Sequence, residues 1–384
     1  MIEPYGGHLV ARELSEPERD RREAEFRDLV TVTTPVDQLY DAEKIAIGAY
    51  SPLEGFMDSE TVRSVTTVGR LPNGLPWSIP IHFPIPTDAP GADSVGPGDV
   101  VGLKDGESRL IALLHVDEKF PIDRRSLALS TYGTDDPKHP NVADIFAAGE
   151  TAWAGRVELL RRLRPPWDRP EPTPAETRAE FARRGWKRVA AYQCRNPPHT
   201  AHEYIQRLTL EREDVDGLLI HPVVGRLKKG DYRPEVILAA YDALVRHYYP
   251  LDRVMMSPLS ITMRYAGPKA ALFLAIVRRN FGCAVYIVGR DQAGVGKYYD
   301  PYACHRIFDA FDIGVLPARY DEAFFCARCG WMASRKTCAH PVSDRVETSQ
   351  SRIRNSLATG APLPPEILRP EVAEILRRPD VTLT

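Results

Sequence analysis

Between Gln193 and His202 the chain sets two amides, a thiol, a guanidinium and two imidazoles: Gln193, Cys194, Arg195, Asn196, His199 and His202. The histidines are three apart, so on a helix they share a face. A site so rich in hydrogen-bond donors suits an anion, and phosphate or sulfate transfer depends mostly on positioning and charge stabilisation. The flanks say what positions these groups. Arg188-Val189-Ala190-Ala191-Tyr192 is an apolar, β-prone run that predicts a short buried strand. Pro197 and Pro198 end it, because proline lacks the N–H a ladder needs, and proline is well tolerated at a helix start. Strand, loop and helix N-terminus together aim several backbone N–H groups at one spot, which favours an anion.

The elements that follow alternate in type. Strands are predicted at Val215 to Pro222, Arg253 to Ser257 and Cys283 to Gly289, and helices at Thr177 to Arg184, Pro234 to Tyr248 and Pro268 to Asn280. Continuous apolar strands alternating with helices imply a parallel sheet covered on both faces, with the site off the carboxyl ends of its strands. Each strand is followed there by a glycine-bearing loop holding a cation. After the stretch already described these are His221 to Asp231, with Arg226, Lys228 and Lys229, then Met263 to Lys269, with Arg264, then Gly289 to Gly296. The last contains Gly289, Arg290, Asp291, Gln292 and Ala293, and its glycines let backbone amides approach a ligand closely. Four such loops at one sheet edge predict a phosphate site.

The tail carries Cys326 and Cys329 as a CxxC pair, then Cys338 and His340. Three thiolates and an imidazole satisfy tetrahedral zinc with no position open, which predicts a structural site. His305 is the nearby substitute should His340 not be the fourth ligand. Short helices are expected around Ser351 to Leu357 and Glu371 to Arg377. Residues 1–163 show short β-like runs (Trp77 to Phe83, Asp99 to Leu103, Arg109 to Val116), turn pairs such as Asn73-Gly74 and Asp105-Gly106, and a helix expected over Asn141 to Arg162. The domain reading is therefore a β-rich unit at 1–163, a proline-rich, semi-rigid linker at 164–175, a catalytic α/β unit at 176–322 and a C-terminal zinc-bearing unit at 323–384.

Composition sets outer bounds. The 384 residues are 43% hydrophobic and 27% charged, with a net charge of −2, as in ordinary globular protein. Such a balance gives no global basic surface for nucleic acid, and no apolar run approaches a membrane span. The 34 prolines point to rigid loops rather than disorder. Six cysteines, three of them clustered, read as metal ligation in a reducing compartment, with the cytoplasm as the expected location.

These motifs resemble the ATP sulfurylase (sulfate adenylyltransferase) family, in its short form without a fused kinase domain. The resemblance runs from Pro4-Tyr5-Gly6-Gly7, through Ala46 to Met57 and all four loops, to Arg369-Pro370-Glu371-Val372. It implies a PUA-like β-rich N-terminal domain, a Rossmann-like nucleotidylyltransferase domain and a small C-terminal domain. It also implies attack of a sulfate oxygen on the α-phosphorus of ATP, giving adenylyl sulfate (APS) and pyrophosphate. Sulfate would be held by Gln193, Arg195 and the backbone N–H of Ala293. Arg195 and Asn196 would stabilise charge on the α-phosphate, with His199 and His202 facing the phosphates. Gly289, Arg290, Asp291 and Gln292, together with Gln193, Asn196 and the two histidines, would hold the nucleotide. Mg2+ would arrive with ATP, carried by pyrophosphate oxygens, and the protein is expected to be a homo-oligomer, a dimer. Departures are Cys194 where threonine is usual, Thr200 for arginine, Gln292 for histidine, and Ser349-Gln350-Ser351 for Ser-Gly-Thr. Two potential cations are thereby lost in or beside an anion site, so a different oxyanion or acid acceptor is the alternative. Cys194, counted with the catalytic residues, would have its thiol pKa lowered by neighbouring Arg195.

Overall fold

The computed structural model describes residues 1–384 except Pro166, Glu213, Lys228, Glu347 and Thr384. The expected roles of Lys228 in the second loop and Pro166 in the linker thus lie outside the described residues. Among the described residues the strands form three sheets. The first holds β1 (Thr31–Thr33), β2 (Gly55–Phe56), β3 (Phe83–Pro84), β4 (Val100–Lys104), β5 (Leu110–Pro121) and β6 (Thr151–Leu159). Its order is β1-β4-β5-β6-β2, with β3 also on β6, and only the β1–β4 pair is parallel. The expected helix over Asn141 to Arg162 is two elements. A helix occupies Pro140–Ala147 and then β6 pairs antiparallel along β5. Gly149 breaks the helix, and Thr151 onward is β-prone and almost wholly buried. The expected strand at Trp77 to Phe83 shrinks to β3. Pro76, Pro80 and Pro84 withhold ladder donors, so the segment runs extended and buried, with the Trp77 indole donating to the Ile79 carbonyl at 2.7 Å.

The second sheet is parallel throughout, in the order β11-β10-β7-β8-β9. Its strands are β7 (Val189–Cys194), β8 (Gly217–Pro222), β9 (Val254–Met256), β10 (Cys283–Val288) and β11 (Leu316–Arg319). Every residue of β7 and β8 is buried, as a sheet covered on both faces requires. Helices Pro234–Tyr248 and Pro268–Asn280 begin at proline, where a missing N–H removes nothing from the helix ladder. One apolar cluster runs from the first sheet (Val101, Leu114, Trp153) into the helix Pro268–Asn280 (Leu272, Phe273, Ile276), so the two units share a core. The proline-rich segment between them is docked onto the protein. Trp167 packs on Val224 and Leu238, Arg169 pairs with Asp242, and Glu171 holds Lys44 at 2.8 Å.

The third sheet is the small antiparallel set β12 (Phe324–Cys326), β13 (Trp331–Ala333) and β14 (Arg345–Val346), in the order β13-β12-β14. Helices Gln350–Thr359 and Pro370–Leu376 complete the C-terminal part and pack back on the second sheet's unit through Ile353, Leu368, Val372 and Leu376. No helix among the described residues is long and apolar enough to cross a membrane.

Candidate active site

At the carboxyl end of the parallel sheet lies a cleft of about 390 Å³, a size suited to a small-molecule ligand. Two of the four loops line it directly. The end of β7, the loop after it and the helix start that follows supply Gln193, Cys194, Arg195, Asn196, His199 and His202, and the loop after β10 supplies Gly289, Arg290, Asp291, Gln292 and Ala293. The other two loops commit their arginines elsewhere. Arg226 pairs with Asp37 and Asp144, and Arg264 pairs with Asp41, all carboxylates of the N-terminal unit. Four cationic loops at one edge therefore divide in purpose: two face a ligand and two clamp the domains. Tyr265 is the exception, since its ring lies beneath the Arg195 guanidinium at 4.9 Å and its hydroxyl accepts from Arg195 at 3.4 Å. No carboxylate among the described residues comes within ion-pair distance of Arg195.

His199 is the N-cap of helix Thr200–Leu210 and His202 lies in its first turn, with ring centroids stacked 3.6 Å apart. Burial pushes both imidazoles down, His202 to about 4, and His202 depresses His199 further. Both are neutral at physiological pH, and their Nδ1 atoms are buried without a protein partner. The helix start offers less backbone than its sequence suggests. The Thr200 N–H is taken by the Ile367 carbonyl at 3.1 Å, and the N–H groups of His202 and Glu203 both return to the His199 carbonyl. The anion-binding character of this corner therefore rests on side chains more than on free amides.

Cys194 departs from expectation. Its thiol is buried, and burial pushes it up to about 12, outweighing the downward pull of nearby Tyr241 and Arg278. It is a core thiol at the edge of the cleft, not an activated one. Thr200 also differs: its hydroxyl donates to the Glu366 carbonyl at 2.6 Å and it does not line the cleft. The arginine-to-threonine departure thus changes a domain contact. Burial raises the Asp291 carboxyl, against Arg290 and Arg195. Arg290 is paired with Glu322 at 3.1 Å. Asp291 and Ala293 both hold positive φ, +54° and +56°, which bends the loop sharply around Gln292.

The sequence reading missed what the C-terminal part contributes. Thr348, Ser349 and Gln350 line the cleft. Gln350 Nε2 donates to the Pro197 carbonyl at 2.7 Å, and Arg354 donates to Asn196 Oδ1 at 3.2 Å. Ser349 accepting the Arg352 N–H is an N-cap legible in sequence, but nothing local says that the helix it starts reaches the β7 loop.

Cys326, Cys329, Cys338 and His340 come together with their ligand atoms within 4.8 Å of one another. The Cys329–Cys338 sulfurs are 3.8 Å apart, and the three sulfurs lie 3.2–3.7 Å from His340 Nδ1. A zinc tetrahedron with bonds of about 2.3 Å to sulfur and about 2.05 Å to nitrogen has edges of about 3.8 and 3.6 Å. The four groups fit a metal ion, and His340 completes the set. His305 is engaged at the Gly289 carbonyl, 3.3 Å away.

Comparison with known proteins agrees with this architecture. A PUA-like domain profile matches residues 2–162, and the ATP-sulfurylase profile matches 169–379. The sulfate adenylyltransferase of Symbiobacterium thermophilum is 44% identical over 379 residues, 98% of this chain and 95% of that protein. That of Hyperthermus butylicus is 42% identical over 381 residues, 97% and 95% respectively. A solved structure described as a hexameric APS kinase from Thiobacillus denitrificans superposes with a TM-score of 0.76 at 27% identity, over 98% of this chain and 68% of that one. With a profile spanning more than half its length and relatives aligned along nearly all of it, the chain belongs to the ATP-sulfurylase family.

Proposed function

We propose that the protein is a nucleotidyltransferase that joins AMP from ATP to sulfate, releasing pyrophosphate and giving APS, or runs the reverse. The observation that carries this reading is Arg195, a guanidinium in the cleft with no carboxylate among the described residues within ion-pair distance, together with two neutral imidazoles whose Nδ1 atoms have no protein partner. Such groups suit charge that grows on the α-phosphate and on departing pyrophosphate. In this reading Gln193, Arg195 and the Ala293 N–H hold sulfate, and Arg195 and Asn196 stabilise the five-coordinate phosphorus. His199 and His202 donate to phosphate oxygens, and Gly289 to Gln292 hold the nucleotide. Sulfate is already ionised, so no general base is needed, and the buried Cys194 thiol takes no covalent part. Mg2+, brought in by ATP rather than by a carboxylate cage of this chain, would supply charge neutralisation. The Cys326, Cys329, Cys338 and His340 set holds structural zinc, and the assembly is a homo-oligomer, a dimer, in the cytoplasm.

The test is sulfate-dependent pyrophosphate release from Mg-ATP. Wild-type activity falling by about 10²-fold or more in Arg195→Ala is expected, the magnitude typical of one lost charge-stabilising donor. ATP binding without sulfate-dependent release, and release with another oxyanion, would overturn the choice of acceptor.

A further inference from the structure

Gln292, which stands where the family usually has histidine, has its side-chain polarity fixed by the backbone. An N–H can only donate, so the Gln292 atom 3.1 Å from the Gly289 N–H is Oε1. Its Nε2 then points the other way, 2.7 Å from the Tyr286 hydroxyl and 3.5 Å from Gln193. An amide nitrogen also can only donate, so the Gln193 atom facing it is Oε1. That leaves Gln193 Nε2, with both its hydrogens, for the cleft.

We propose that Gln292 is a positioning residue that sets the amide orientation of Gln193, so that the sulfate subsite meets an NH₂ donor rather than a carbonyl oxygen. The inference rests on the sulfate reading above. Gln292 is itself held firmly. Its carbonyl accepts from the Cys304 thiol at 2.9 Å, and positive-φ residues pin it on either side. Burial raises the Tyr286 hydroxyl far above its ordinary range, so this partner stays neutral. No member of the chain from Gly289 to Gln193 titrates near neutrality, and the orientation holds across the working pH range. A neutral imidazole offers the same pattern, one nitrogen accepting and the other donating, which explains how glutamine substitutes for histidine here.

The test is a double-mutant cycle on pyrophosphate release, with the KM for sulfate and for Mg-ATP measured separately. Gln292→Met removes both polar atoms without adding charge. It is expected to raise the sulfate KM by about ten-fold or more, the size of one hydrogen bond to a charged group, and to move the Mg-ATP KM by much less, because the Gln292 side chain is taken up by Gly289, Tyr286 and Gln193 and the loop meets the nucleotide through its backbone. In a Gln193→Met background the same change should add nothing further, because the two residues act as one unit. Gln292→His at pH 8 should restore the sulfate KM to near wild type, and thermal melting of each variant identifies one that fails to fold. Additive effects in the cycle, or equal rises in both KM values, would overturn the inference while leaving the sulfate reading intact. A wild-type protein with no sulfate-dependent release would overturn both.

Discussion

The stacked pair His199 and His202 gives the protein a calculable acid sensitivity. Burial holds His202 at about 4, below the roughly 6.5 of an exposed imidazole. The unfolded chain therefore binds this proton first, so stability is intact above about pH 6.5 and falls as pH drops towards 4. By pH 5 this one residue costs about 2 kcal/mol, from 1.36 kcal/mol per pH unit across the gap. Denaturant titrations at pH 7.5 and pH 5 should show that loss in the wild type and a correspondingly smaller one in His202→Asn; equal losses would contradict the burial argument. At this scale the sequence was informative about residue type and silent about state. Proximity to Arg195 suggested a lowered thiol pKa for Cys194, yet burial raised it, and that burial comes from an apolar cluster whose members, Leu218, Ile220 and Tyr241 among them, are distant in sequence and invisible in the local motif.

Among the elements, β7 to β10 and the helices Pro234–Tyr248 and Pro268–Asn280 were legible as apolar or amphipathic runs ended by proline or glycine, whereas β11, a short strand with two exposed residues, was not expected. The stretch from Asn141 was not, since an apolar run of that length satisfies either period until Gly149 is weighed as a break. The two clamping loops also misled, because glycine with arginine reads alike whether the guanidinium faces a ligand or a neighbouring domain. The small sheet β12–β14 is a different case. Its apolar cluster is little more than Phe324, Cys326 and Ala333, too small a core to order three short strands alone. Metal removal by a strong chelator should therefore open residues 324–346 to protease, while the parallel sheet keeps its circular dichroism; unchanged protection would show that the four ligands do not carry the fold of this module.

For the molecule as a whole, one buried cation joins three parts of the chain. Lys44 is fully buried between Glu43 and Glu171, each 2.8 Å away, and donates to Ser260 at 3.0 Å. Burial works against the ionised Glu43 carboxyl, but Lys44 and Arg162 hold it below the ordinary range. Lys44→Met would leave Glu171 buried without its counter-charge and Glu43 with Arg162 alone, at about 3–5 kcal/mol, a large share of a typical total. The expected outcome is a much lower denaturation midpoint than for Glu171→Gln, and parity between the two would refute it. The contacts across the cleft have a temporal consequence. Asn196 is held by Arg354, Pro197 by Gln350, Thr200 by Glu366 and Ile367, and Glu203 by Arg369 in two bonds of 2.8 Å. A ribosome adding about 5–20 residues per second makes the β7 loop many seconds before these partners emerge. A nascent or prematurely ended chain would carry every residue of the Gln193–His202 stretch and still lack the wall that orders it, so incomplete copies would not consume ATP.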